Sequence, residues 1–535
     1  MPSIYGNQEA LAVIRRETQT PTFWHNYQVS ESDLEYITTL FIEDEQPLTV
    51  DQLTLAVMQH RCWQEEELIK RKLARGFLFQ PRESYEVGQT LVFPALGYVV
   101  GEVVAIRPGH NPEYGEFRVA RVRVEGQDAE REYAIELKAP HRLNFEGDII
   151  AEDGLLSLEE LYDLHSSPVR EVLEAYLERS DEFVGLAGRW FLKELLLGIN
   201  IGQLNLAEAV LDMANGGPLP TKTFLRDLDL PAEVDERLRT FSLDYALSRD
   251  ERFDEVGPAG QVLWFLRARE PAEVLFPPRR LEAASIPYDY KALDGSLVAL
   301  ERELEDEWSG ASYAPVDETD QVTLVLTFAH RRVGTLPLTP RLKTFFPTGR
   351  TKRIRFLFKD GTTGDTWPGW VVREHQYVFG LDQWYQSNNL PVGAYIELRR
   401  GSEPGVVEID YQRRRPVREW VRVAVPSEGR LTFEMRKQLI GCEYDELMVV
   451  AVDDPAAVDQ VWIEAEEKEY PVTQIMYNVF PELAKLNPQG TVHAKTLYSA
   501  VNVVRRLPPG PIFAVLMQDM AFLPVGDNYW LFTKQ

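Results

Sequence analysis

The chain has 535 residues, 44% of them hydrophobic and 11% aromatic, with two cysteines and a net charge of −27. Length and composition exclude a single small domain, a low-complexity polymer and a disulfide-stapled scaffold, and predict roughly three to five domains of ~100–200 residues. The acidic excess argues against polyanion binding over the whole surface but leaves room for a basic domain inside an acidic whole.

The N-terminal stretch MPSIYGNQEALAVIRRETQTPTFW lacks a continuous apolar run, and nowhere do ~18 apolar residues follow one another. A cytoplasmic chain that neither is secreted nor crosses a membrane is therefore expected. Cys62 and Cys442 lie outside any Cys/His ligand spacing, so reduced thiols and no metal or other cofactor are expected.

After the N-terminal arm, Ser30 caps a helix with Leu34, Ile37, Leu40 and Phe41 at helical spacing; Gln46-Pro47 breaks it and Thr49 caps a second. A third helix, WQEEELIKRKLARG, is expected to stop at Gly76. The period then changes. TLVFPALGYVVGEVVAIRPG, YGEFRVARVRVEG and EREYAIELKAP cluster β-formers between turn residues and predict a small antiparallel barrel. Its segment from Gly101 to Gly109 is similar to SH3-like or KOW-type barrels.

An acidic helical stretch follows, and GGPLPT (Gly216 to Thr221) repeats the earlier QPLT. RFDEVGPAGQVLWFL then reads as a hairpin, and AFLPVGDNYWLF near the C-terminus nearly repeats it. Helix, PL(P)T, helix, helix, hairpin is the order of a winged helix-turn-helix, with Phe253, Val256, Leu263 and Phe265 expected to face a three-helix core. The arrangement LAEAVLDMANGGPLPTKTFL…RFDEVGPAGQVLWFL resembles the HARE-HTH winged-helix domains, including the N-terminal domain of the bacterial RNA polymerase delta subunit. The resemblance covers ~70 residues in the middle and, more loosely, the last ~65, and implies an association with transcription machinery, DNA or chromatin.

Between Gln321 and Val425 stand seventeen Lys/Arg against nine Asp/Glu. This basic island is expected to be β-rich with one short helix, LDQWYQSNN. Trp370-Val-Val, that helix and LPVGAYIEL together are similar in outline to the B3-type DNA-binding pseudobarrel, with Ala394 where that family has Asp.

The expected fold class is thus a multidomain α+β chain: an N-terminal arm and helical winged-helix-like head (1–83), an SH3-like β-barrel (84–145), an acidic helical region ending in a winged helix (146–270), a linker with an acidic helix (271–320), a basic β-rich pseudobarrel (321–425) and a C-terminal winged helix (426–535).

Two groups of residues are candidates for nucleic-acid contact. Arg331, Arg332, Arg341, Lys343, Arg350, Lys352, Arg353 and Arg355 crowd about twenty-five residues, interleaved with Phe345 and Phe346. Guanidinium groups grip phosphate and aromatic faces stack on bases. The competing account is a basic loop docked on the chain's own acidic domains. In TVHAKTLYSAVNVVRR, Lys495, Thr496, Ser499, Asn502, Arg505 and Arg506 are expected on the exposed side of a helix placed to enter a groove.

Enzyme signatures are absent: there is no GxxxxGK[ST], GxSxG, HExxH or Rossmann glycine pattern. Glu466-x-Lys468 after VWI, with Asp453 and Asp454 upstream, matches a metal-dependent nuclease layout only as chance does in so glutamate-rich a stretch. The expectation is a non-enzymatic protein of the transcription or chromosome machinery, binding DNA or RNA through the basic domain and a protein partner such as RNA polymerase or a helicase through acidic domains. A subunit of a defence or repair nuclease system and a pure scaffold are the alternatives. The leading reading requires that those arginines face solvent rather than neighbouring carboxylates.

Overall fold

Short polar residues fix where the helices start. Reciprocal side-chain and backbone bonds between Ser30 and Asp33, Thr49 and Gln52, Ser157 and Glu160, and Asn200 and Gln203 satisfy amides that the first turn leaves orphaned. The computed structural model describes residues 16–127, 129–141, 143–144, 155–310, 319–427 and 429–533, which form a mixed α+β chain. It divides into two units, Met1–Ile199 with Leu230–Tyr245, and Asn200–Asp229 with Ala246–Gln535.

One order of elements occurs three times. The first copy is helix Glu31–Asp44, strand Leu48–Thr49, helix Val50–Leu73, helix Leu158–Arg179 and hairpin Phe183–Leu186/Arg189–Leu192. The second is Ile201–Met213, Leu219–Pro220, Thr221–Phe224, Glu236–Ser248 and Phe253–Glu255/Leu263–Leu266. The third is Val472–Ala484, Val492–His493, Ala494–Val504, Pro509–Gln518 and Phe522–Gly526/Tyr529–Phe532. In each copy the short strand pairs with the second strand of the hairpin. An aliphatic residue faces a tryptophan in all three: Leu48 and Trp190, Leu219 and Trp264, Val492 and Trp530. The three indoles are at most 8% exposed, so in each copy a buried tryptophan pins the short strand to the hairpin.

The first copy is interrupted. A five-stranded sheet, Phe77–Leu78, Thr90–Phe93, Val99–Pro108, Arg118–Val124 and Arg131–Ile135, lies in sequence between its second and third helices. The head expected over 1–83 therefore closes only with residues 158–192. Its predicted second and third helices are one, Val50–Leu73, because no proline or glycine intervenes before Gly76.

In the second unit, a seven-stranded sheet runs in the order Gln321–Val325, Tyr395–Arg400, Val406–Tyr411, Arg353–Asp360, Thr366–Val372, Tyr377–Phe379, Thr335–Pro337. It carries three short helices rather than one: Phe328–Val333, Pro340–Phe345 and Asp382–Ser387. Thr339 caps the second, and Pro340 at its first position arrives with a helical φ already set.

The boundary expected at 425 falls inside a long two-stranded ribbon, Arg413–Ser427 with Arg430–Cys442. Strand alternation sends its side chains into two cores. Val421, Val423 and Ile440 join the core of the seven-stranded sheet, while Ala424, Leu431 and Phe433 join that of the C-terminal helices. Among the described residues no helix is long and apolar enough to cross a membrane.

Candidate nucleic-acid interface

The basic run of the seven-stranded sheet meets an acidic hairpin of the same chain. Arg353 lies 2.7 Å from Asp254 and 3.6 Å from Glu270, and Arg350 lies 3.5 Å from Glu255. The Arg355 guanidinium sits over the Phe265 ring, 5.5 Å from its centroid, and burial pulls its pKa below the usual arginine range. Backbone bonds fix the same joint: Arg355 N–H donates to the Val256 carbonyl, and the Thr351 hydroxyl donates to that of Glu255. Val256 and Phe265 pack against Trp370, Val372 and Tyr377 of the sheet, not a three-helix core as expected.

The other cations of the run are likewise engaged. Arg332 pairs with Asp459, Arg341 with Glu305 and Lys352 with Glu374. Arg331 donates to the Leu390 carbonyl and lies over Tyr385, and Lys343 donates to Gln376. Phe345 and Phe346 are buried, so neither offers a face for stacking. Each cation of this group thus has a carboxylate, carbonyl, amide or ring of the chain as neighbour.

The C-terminal helix Ala494–Val504 corrects the second expectation, because every residue in it is buried. Lys495 is held between Glu303 and Asp445, and the Ser499 hydroxyl accepts from Val449 N–H at 2.9 Å. Asn502 donates to the carbonyls of Tyr498 and Leu507. Arg505 pairs with Glu466, while Arg506 spans Asp306 at 2.7 Å and Glu307 at 2.8 Å. The acidic helix end at 303–307 covers the face that was expected to be open. Burial pushes the Glu307 carboxyl up, but the charges of Arg506 and His330 outweigh it and hold it low. Val461-Trp462-Ile463 lies in helix Pro455–Glu467 rather than a strand, with Asp454 capping that helix, Asp453 paired to Arg436 and Lys468 to Glu464.

What stays open is the ribbon. On one face Arg418 stands opposite Leu439, Trp420 opposite Lys437, and Arg422 opposite Met435. Trp420 is 60% and Leu439 66% exposed, and Lys437 Nζ lies 5.3 Å from the centre of the Trp420 ring. Among the described residues Arg415, Arg418, Arg430 and Lys437 have no carboxylate partner, whereas Arg413, Arg414 and Arg436 do. Sequence reasoning passed over Trp420 and Lys437. The signal was the alternation Arg418-x-Trp420-x-Arg422, which puts three residues on one face of a strand.

Among the described residues no group of three His, Cys, Asp or Glu is placed to hold a metal ion. Both cysteines are unpaired, and burial pushes the Cys442 thiol up to about 11. No protein family, curated protein or solved structure matches the chain.

Proposed function

We propose that this chain is a non-enzymatic, cytoplasmic protein of the transcription or chromosome machinery. It holds DNA or RNA on the Trp420 ribbon and docks a protein partner, such as RNA polymerase or a helicase, through its acidic helical parts. In this reading the three repeated motifs are winged helices, the five-stranded sheet is an SH3-like barrel, and the seven-stranded sheet is a B3-like pseudobarrel.

The observation that carries the reading is an exposed indole, with Lys437 beside it, on a ribbon whose Arg415, Arg418, Arg430 and Lys437 have no carboxylate partner among the described residues. Cations bind phosphate and an open ring stacks on a base, which requires a base that is itself unpaired. Few cations against a total charge of −27 favour a short single strand over a long duplex.

The test is binding of the full chain to a labelled single-stranded oligonucleotide, and to its duplex, across salt. Four phosphate contacts predict a log–log slope near −2.8 for the single strand, at about 0.7 per contact, with the duplex weaker. No binding at low salt leaves a pure scaffold, and Mg²⁺-dependent cutting of the oligonucleotide moves the chain to the nuclease reading.

A further inference from the structure

The cation-rich stretch 321–425 has arginines and lysines to spare, and most of its carboxylates use them. Glu374, Glu397, Glu408, Asp410 and Glu419 all form ion pairs. Of the other four, Asp360, Asp365, Asp382 and Glu403, none forms an ion pair with Lys or Arg among the described residues; Glu403 stands apart, Asp360 is held by hydrogen bonds, and Asp365 and Asp382 stand at one place. They line a cleft of about 690 Å³ whose apolar walls are Trp367, Pro368, Phe379 and Trp384. The Arg331 charge reaches Asp382, but its guanidinium is bonded to the Leu390 carbonyl and lies over Tyr385, so two exposed acids without an ion pair stand beside apolar surface.

The hydrogen bonds already made restrict its chemistry. Trp367 Nε1–H donates to the Gly380 carbonyl at 2.8 Å, and Trp384 Nε1–H donates to Asp360 at 2.7 Å. Asp360 also accepts the backbone N–H groups of Thr362 and Thr363, while Asp382 accepts the Gln386 amide. Both indole donors are thus spent. The charged groups left at the mouth are acceptors, which repel phosphate and attract a donor with positive charge. A long side chain with an apolar stem and a cationic tip fits walls and mouth together.

We propose that this cleft receives a lysine or arginine side chain from a basic segment of a partner protein, the stem lying on Trp367 and Pro368 and the charge meeting Asp365 and Asp382. The site is separate from the Trp420 ribbon and stands or falls without it.

The experiment is calorimetric titration of the full chain with a Gly/Ser octapeptide carrying two arginines, with its lysine version, with its neutral citrulline version and with adenosine. Saturable binding of a cationic peptide, lost with citrulline and weakened at least about tenfold in Asp365→Asn/Asp382→Asn, supports the site. Both acids are exposed, and an unchanged melting temperature verifies that the variant is folded. Equal binding of the citrulline peptide, binding indifferent to the two substitutions, or no saturation by either cationic peptide overturns the proposal. Saturation by adenosine alone assigns the cleft to a base instead.

Discussion

Arg353 holds Asp254 at 2.7 Å and so ties the central strand Arg353–Asp360 to the hairpin of the second repeated motif. Glu270 completes the joint at 3.6 Å with a fully buried side chain, and Arg267 adds a second guanidinium 3.9 Å from Asp254. Arg353→Met removes the nearer cation and leaves the half-buried Asp254 carboxylate with the more distant Arg267 alone. A fully buried pair loses about 3–5 kcal/mol in this way; Arg353 keeps partial contact with water, so about 2 kcal/mol is expected. Urea unfolding of the variant measures the loss, and Arg353→Met/Asp254→Asn is expected to regain part of it. An unchanged midpoint in the single variant would mean that the joint contributes nothing.

Glu270 also makes the joint sensitive to pH. Burial pushes its carboxyl up to about 8, with Arg353 opposing and Asp254 adding to the rise. The folded chain therefore holds this proton more tightly than the unfolded chain, whose glutamate titrates near ~4.3. Stability linked to this group is full below that value and is lost as pH rises towards 8. Glu270→Gln removes the dependence, so melting temperatures of wild type and variant are expected to diverge from pH 5 to pH 8.5, the wild type falling further. Parallel curves would show that Glu270 is ionised throughout.

Arg506 carries the corresponding burden under the C-terminal helix, where it answers both Asp306 and Glu307 with almost no exposure. Arg506→Met is expected to cost about 3–5 kcal/mol or to prevent soluble expression. Arg506→Met/Asp306→Asn/Glu307→Gln neutralises the stranded acids and is expected to recover much of that loss. A triple variant as unstable as the single one would place the cost in packing rather than charge.

The local features of this fold were legible because they follow from adjacent residues. Ser30 and Thr49 announced their helices, and the Trp264 and Trp530 hairpins declared themselves by turn residues between apolar runs. The closing half of the first copy was hidden because Leu48 finds Trp190 only across the inserted five-stranded sheet, and nothing local records that pairing. Charge behaved alike. The count of arginines in 331–355 was visible, but their partners Asp254, Glu255, Glu305 and Asp459 lie outside that stretch, so composition could not distinguish an open face from a filled joint. The ribbon was missed because its second strand, Arg430–Cys442, lay beyond the assumed boundary, and Trp420 looks like core until its neighbour Lys437 is known.

The ribbon separates charge from stacking. Arg418→Ala/Lys437→Ala removes two cations from an exposed face, and the salt slope for a single-stranded oligonucleotide is expected to become shallower by about 1.4. Trp420→Ala leaves the cations in place, so its slope is expected to stay unchanged while affinity falls by ~1–3 kcal/mol, the range for loss of one base-stacking ring. Trp420→Phe keeps an aromatic face and is expected to fall between the two. Arg353→Met, whose guanidinium is spent within the chain, is expected to leave the slope alone in conditions where the variant remains folded. Anisotropy titrations from low to physiological salt read all four variants. A shift in slope with Arg353→Met and none with Arg418→Ala/Lys437→Ala would return the interface to the basic run and take it away from the ribbon.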